Sequence, residues 1–191
     1  MSVSDNTLTN SEIDLQRFTG YIQRQTWWAL LTTVLVCYGF YLVLPRYVTL
    51  PTEPLPSLIF AIQLALIPLL WLLTAVAIVA KKRRQSMADV HGSAYAEPSK
   101  QLAVPAAFLQ NTLEQVVLLV GALLLLGTVL SGDQLAILIA MVILFSIGRY
   151  LFYTQYTHNP YTRVLGMVLT MLPALFGYTI ALCLVLYRLV L

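Results

Sequence analysis

Two ionisable side chains stand inside long apolar stretches of the sequence, where a charge is costly. Glu114 is the only acid in the stretch 107–130, and Arg149 is the only base deep in the stretch 134–153. Placing such a group at membrane depth costs roughly 2.5–3.5 kcal/mol on insertion scales, so these residues usually face other helices or a polar cavity. The two charges therefore indicate either a structural ion pair or a binding site inside a helical bundle.

Counting along the chain places these two charges at one depth. Glu114 lies about 17 residues before the tight turn predicted at 131–133, and Arg149 lies about 17 residues after it. At about 1.5 Å of rise per residue, both are roughly 25 Å from the turn. A tight turn favours adjacent antiparallel helices. A Glu114–Arg149 ion pair is thus the simplest structural interpretation, and such a pair can also border a site.

Further polar residues fall on the same helix faces as these charges. One helix carries an amide three residues before its carboxylate, and the next carries tyrosines at spacings of four and three after its arginine, so each set shares a face. We expect these groups to converge into a pocket that suits a ligand with one charged end and one apolar end. They are Asn111, Glu114, Arg149, Tyr153, Tyr156 and, just beyond, Arg163.

The composition identifies an integral membrane protein. Of 191 residues, 59% are hydrophobic and only 10% are charged, against about 25% charged in soluble domains. The net charge of +3 is too small to suggest a nucleic-acid partner. The two cysteines are far apart and are interpreted as apolar packing residues, and both histidines fall in links. No cluster has metal-ligand spacing, so a metal site is not expected.

The predicted fold is an all-α integral membrane bundle. Residues 1–26 form a polar, interfacial segment with a capping box at 11–14, and 27–44 form a first transmembrane helix. A four-helix bundle occupies 57–190, with the long link 81–106 inside it. The five apolar runs that could cross the bilayer are 27–44, 57–80, 107–130, 134–153 and 165–189.

Basic residues predict the orientation. Five of the eleven Lys and Arg residues lie in the link 81–106, four of them at Lys81–Arg84. The positive-inside rule places this link in the cytoplasm, which also puts the N-terminus inside and the C-terminus outside. The expected location is a bacterial inner membrane.

Two segments resemble the MAPEG family, the membrane-associated proteins in eicosanoid and glutathione metabolism. They are FLQNTLEQVVLLV, from residue 108, and IGRYLFYTQYTHNPYTRVLGMVLTMLP, from residue 147. The family pattern of Asn-x-x-Glu, then Gly-Arg with tyrosines, then Pro and Arg is similar to residues here over roughly 57–190. These residues are Asn111, Glu114, Gly148, Arg149, Tyr156, Pro160, Arg163 and Pro173.

The resemblance implies a four-helix core that forms a homotrimer and binds glutathione between subunits near the cytoplasmic face. The helix 27–44 is then an N-terminal addition. On this basis Arg149 or Tyr156 holds the thiolate, while the peptide part lies against Asn111, Glu114, Tyr153 and Arg163. Lys81–Arg84 could supply positive charge for an anion.

One departure from the family pattern bears on function. The family's enzymes usually carry arginine, and often histidine or another polar residue, just before the asparagine, where this chain has Ala107, Leu109 and Gln110. A glutathione carboxylate would lose a cationic partner there, and arginine–carboxylate contacts are the strong, bidentate kind.

Three functions therefore stay open, and whether the chain is an enzyme stays open with them. The first is a glutathione-dependent transferase or peroxidase that acts on lipophilic electrophiles. The second is a non-catalytic member that binds a lipid or a protein partner, which the missing arginine favours. The third is a small proton-coupled exporter that uses Glu114, which a paired Arg149 would disfavour.

Overall fold

The computed structural model describes residues 10–91, 99–156 and 163–190, and their regular elements are all helical. Six α-helices are separated by short links, and two 3₁₀ turns lie at Leu44–Arg46 and Gly132–Leu135. Five spans are long and apolar enough to cross a membrane, which confirms the predicted all-α membrane fold. The helices are α1 Asn10–Val43, α2 Pro54–Leu64, α3 Leu66–Arg84, α4 Lys100–Val129, α5 Ala136–Tyr156 and α6 Val164–Val190.

Helix α1 is longer than the sequence predicted. It runs for 34 residues without a break, so the expected boundary between a surface helix and a membrane helix near residue 27 is absent. No proline lies between Asn10 and Val43 to interrupt its backbone hydrogen bonds. At about 51 Å, it exceeds the hydrocarbon thickness of roughly 30 Å. The side chains of the predicted capping box at 11–14 lie outside the described part of the chain.

The second span is one helix with a local break. Helices α2 and α3 meet at Ala65, which keeps right-handed helical geometry (φ −62°, ψ −17°). Pro68 has no N–H to donate to the carbonyl of Leu64, four residues earlier, and this explains why α2 ends there. The chain continues in nearly the same direction, because Leu69 N still donates to Ala65 O at 3.3 Å.

Helix α6 organises the bundle. It packs against both α4 and α5, while α4 also packs against α2 and α3, and α1 lies on α5 and α6. The tight turn between α4 and α5 is present, with Gly132 at a positive φ of 58°. However, α4 and α5 contact each other much less than each contacts α6. The core contains the apolar face of α4, represented by Leu119, Leu123 and Leu126.

The long link is shorter than the sequence predicted, because helices extend into it from both sides. Helix α3 continues to Arg84 and α4 starts at Lys100; the basic residues that end α3 face its negative dipole end, which favours helical structure there. In the remaining loop, the carboxylate of Asp89 accepts the N–H of Ser99 at 2.8 Å and its O–H at 2.6 Å. These bonds to Ser99 hold the pKa of Asp89 below its usual value.

Candidate functional site

Arg149 is the centre of the polar site, and it is completely buried, with 0% of its surface exposed. Its Nη1 donates to Asn111 Oδ1 at 2.8 Å, and its Nη2 donates to Thr170 Oγ1 at 2.7 Å. Its Nε has no hydrogen-bond partner. The side chain therefore ties α5 to α4 and α6, and three of its five N–H groups are left: the one on Nε and a second one on each terminal nitrogen.

The close approach of α5 and α6 explains how Thr170 reaches the arginine. A Cβ on Gly148 would lie 2.6 Å from Thr170 Cγ2, and a Cβ on Gly166 would lie 2.7 Å from the Gly148 carbonyl oxygen. Glycines at both positions let the two backbones nearly touch, as small residues do at membrane helix interfaces. The Gly-Arg dipeptide thus supplies the contact and the charge together.

Aromatic rings complete the surroundings of the guanidinium. Its carbon lies 4.8 Å from the Phe152 ring centroid and 5.7 Å from that of Phe145. Such cation–π contacts stabilise a desolvated cation by about 2 kcal/mol. Tyr153 instead packs its ring against Phe108, with centroids 4.8 Å apart. It forms part of the apolar wall beside the site.

The predicted Glu114–Arg149 ion pair is not formed. Glu114 is exposed on the outer face of α4, where its Oε1 accepts a hydrogen bond from Gln110 Nε2 at 2.9 Å. Asn111 takes the place beside Arg149 that the prediction gave to Glu114. The reason is azimuth: at about 3.6 residues per turn, positions three apart differ by roughly 60° around the helix. Among the described side chains, no carboxylate pairs with this arginine.

The remaining predicted residues have different outcomes. Tyr156 ends α5, but its side chain lies outside the described part of the chain. Arg163 is half-buried directly before α6, where its carbonyl accepts the N–H of Met167 at 3.1 Å. The turn predicted at 157–162 also falls outside the described residues. The structure thus joins Asn111 to Arg149, and the predicted roles of Tyr156 and Arg163 stay predictions.

Two polar side chains of the site were not among its predicted residues. Thr170 holds the arginine, and the signal for it was the spacing of Gly166 and Thr170, one helical turn apart on α6. Gln115 lies four residues after Asn111, hence on the same side of α4. It is 5% exposed, and its Oε1 has no partner. Buried polar groups normally find partners, so this oxygen and Arg149 Nε mark capacity for a further polar contact.

No group of three metal-ligating side chains occurs within the residues that the structure describes. The described residues bring to the site a desolvated cation, flanked by amide and hydroxyl groups. A cation in low dielectric favours a nearby anion far more strongly than it does in water.

Comparison with known protein families gave a match. The model of a family described as the MAPEG family matches residues 58–183. No curated protein and no solved structure matches the chain. The matched segment begins in α2 and ends in α6, so it includes Asn111, Arg149 and Thr170, and α1 lies before it.

Proposed function

Since the chain belongs to the MAPEG family and forms a multi-pass bundle of apolar helices, we propose that it is a glutathione-dependent transferase or peroxidase acting on lipophilic electrophiles. The observation that carries this proposal is a buried arginine whose positive charge is not compensated by a described carboxylate. Arg149 is fully buried, no described carboxylate pairs with it, and its Nε has no partner.

The proposed work of Arg149 is to favour an anion. Glutathione supplies a thiol nucleophile when it is bound. A neighbouring cation stabilises the thiolate form of a thiol, and Nε is the guanidinium nitrogen that makes no hydrogen bond within the described protein. Asn111 and Thr170 hold the guanidinium plane fixed through Nη1 and Nη2. This fixed orientation means that little reorganisation is needed when the charge develops.

The peptide part of glutathione would lie along the cytoplasmic end of α4. Glu114 and Gln110 are exposed there and linked by a hydrogen bond, so the carboxylate can accept a bond from an ammonium group. Arg163, close to the start of α6, suits a carboxylate of the ligand. Tyr156 is the alternative thiol-holding residue, and Tyr153 belongs to the wall through its contact with Phe108.

We further propose that three copies assemble around this surface. Glu114 lies about 22 Å from the end of α4, which is still within a hydrocarbon core of roughly 30 Å, so contact of its carboxylate with lipid would be costly. A neighbouring subunit would remove this residue from lipid. Native mass spectrometry from mild detergent should therefore show a homotrimer, and a monomer at every protein concentration would oppose the assembly.

The proposed orientation places the N-terminus in the cytoplasm and the C-terminus outside, in a bacterial inner membrane. It is supported by the basic residues Lys81–Arg84 at the end of α3. The test uses Met87→Cys and Ser131→Cys, each in a chain whose Cys37 and Cys183 are serine. An impermeant maleimide should label the cysteine at 131 in intact cells and the one at 87 only after lysis. The reverse pattern would invert the orientation.

Glutathione binding is tested by isothermal titration of the purified protein, together with the ultraviolet absorbance of the thiolate. Wild-type protein should give both signals, and Asn111→Ala should weaken them by loosening the arginine. Arg149→Lys keeps a charge but loses the fork, and it should also lower thiolate absorbance. Arg188→Gln is the matched control, since Arg188 binds carbonyls at the opposite end of α4.

A non-catalytic binding protein is the second candidate. Two observations favour it: both terminal nitrogens of Arg149 are already occupied, and α4 has no cation at Ala107, Leu109 or Gln110. Titration decides between the candidates, because this second function predicts no heat and no thiolate signal with glutathione. Family membership disfavours the exporter hypothesis. The objection that Arg149 neutralises Glu114 no longer applies, because the two side chains do not pair.

A further inference from the structure

A cavity of about 510 Å³ lies between α1 and the ends of α4, α5 and α6 near the α4–α5 turn. Helix α1 contributes Thr33, Cys37 and Tyr41 to its lining, and α6 contributes Phe176 and Ile180. The volume falls within the range of about 300–1,000 Å³ typical of small-molecule sites.

The lining of this cavity includes none of the arginine-site residues Asn111, Arg149 and Thr170. Met141 is its nearest lining residue on α5, eight residues or about 12 Å along the helix from Arg149. The ring of Phe145 is fully buried between these two levels. One wall is α1, which lies before the segment that the family model matches. The cavity is thus built partly from an element outside the family core.

Among the described residues, the lining has hydrogen-bonding groups but no charged side chain. Tyr38, Tyr41 and Gln134 bring two phenols and an amide to the end near the turn, among mostly aliphatic and aromatic walls. Charge in a ligand would therefore stay uncompensated, which is costly away from water. The chemistry favours an uncharged, mainly apolar ligand with a small polar group.

Thr33 supplies the second, independent observation. It is 1% exposed, and its hydroxyl has no hydrogen-bond partner. Other helical threonines donate to their own helix: Thr26 to Ile22 O at 2.9 Å, and Thr179 to Leu175 O at 2.9 Å. A buried hydroxyl that makes no bond of this kind has a donor and acceptor capacity that a ligand oxygen can use.

The cavity also has an open side. Val34 and Tyr38 are 52% and 59% exposed on α1, and both line it. Thr33 is buried, whereas Val34 and Tyr38 leave the cavity open on the outer face of α1. A ligand would thus enter from the bilayer.

We propose that this cavity binds an uncharged lipophile bearing a hydroxyl or carbonyl group, such as a long-chain alcohol, with its oxygen at Thr33. It would bind independently of glutathione.

The test is photo-cross-linking of the full chain in lipid nanodiscs with three diazirine probes of equal chain length: an alcohol, an alkane and a carboxylate. The alcohol should label peptides around Thr33–Tyr41 and Phe176–Leu184 saturably, with competition by unlabelled alcohol. Labelling there by the alkane and the carboxylate should be much weaker. Equal labelling by alkane and alcohol means that bulk acyl chains fill the cavity, and it overturns the proposal.

Three variants sharpen this test. Thr33→Val removes only the unpartnered hydroxyl, so the fold should be kept while alcohol affinity falls about 2- to 10-fold, as expected for one neutral hydrogen bond. Cys37→Phe fills the cavity and should abolish saturable labelling. Leu35→Phe, on the exposed face of α1, is the matched control and should label like wild type.

Unchanged alcohol labelling in both Thr33→Val and Cys37→Phe refutes the site, provided that circular dichroism shows a helical fold. If Cys37→Phe does not fold, Thr33→Val alone decides. Glutathione titration of Thr33→Val should match wild type. If the wild-type protein does not bind glutathione, the proposed enzyme function is refuted, but the proposal for this cavity is unaffected.

Discussion

Replacing Thr170 by valine isolates what holds the buried arginine. The change keeps the side-chain size but strands Nη2 of Arg149, which now donates to Thr170 Oγ1 at 2.7 Å. Neutral interhelical bonds in membranes average about 0.6 kcal/mol. This bond has a charged donor in a fully buried place, so its loss should cost about 1.5–3 kcal/mol. We expect a clear loss of stability rather than a marginal one.

The measurement is reversible unfolding of each variant in mixed micelles, monitored by tryptophan fluorescence. Thr179→Val on the same helix is the matched control, because Thr179 is exposed and bonds only to its own helix. In a background of Arg149→Leu, the same Thr170→Val change should cost little, since no donor is left to strand. The reasoning is refuted if Thr170→Val costs no more than Thr179→Val, or costs the same with and without the arginine.

Three further predictions concern packing, acid and charge. Gly166→Ala should unfold the bundle at markedly lower denaturant, because a Cβ there meets the α5 backbone at 2.5 Å, whereas Gly39→Ala, with open space around it, should be neutral or stabilising in the same titration. The pKa of Asp89 is lowered, so its hydrogen bonds to Ser99 at the start of α4 are fully formed above the ordinary pKa of 3.8. These bonds are lost as pH falls through the lower pKa of Asp89 in the folded protein. Amide hydrogen exchange at the start of α4, corrected for its intrinsic rate, should accelerate in that acid range, and Asp89→Asn should remove the pH dependence. The losses in unfolding free energy caused by Glu114→Gln and Arg149→Leu should add within about 0.5 kcal/mol in the double variant. A coupling energy of several kcal/mol would show that the two side chains do form an ion pair.

The sequence predicted positions along the helix axis better than directions around it. Apolar runs identified all five spans, and counting residues placed Arg149 level with the Asn-x-x-Glu segment. It did not determine which side chain points at the arginine, because Asn111 and Glu114 are only about 60° apart around α4. The direction depends on how α6 inserts beside α4 and α5, which is a property of tertiary packing.

Helix boundaries failed for a related reason. Hydropathy marks where lipid contact is favourable, whereas backbone hydrogen bonding decides where a helix ends. Helix α1 therefore continues before the apolar run at residue 27, and α3 and α4 extend into the polar link as far as Arg84 and Lys100. Thr170 was missed because a single threonine in an apolar helix usually bonds its own backbone; its bond to Met167 O coexists with its role at Arg149.

The absence of the Glu114 ion pair bears directly on what the site can do. A carboxylate against Arg149 would have cancelled the local positive charge, and an incoming anion would then have to displace it. Asn111, Thr170 and the ring of Phe152 instead stabilise the guanidinium without neutralising it. Because neutral acceptors and aromatic faces leave the net charge in place, the cost of burying it is reduced only in part. A bound thiolate or carboxylate would offset the remaining cost of burying the charge of Arg149, so binding of such an anion should also stabilise the bundle.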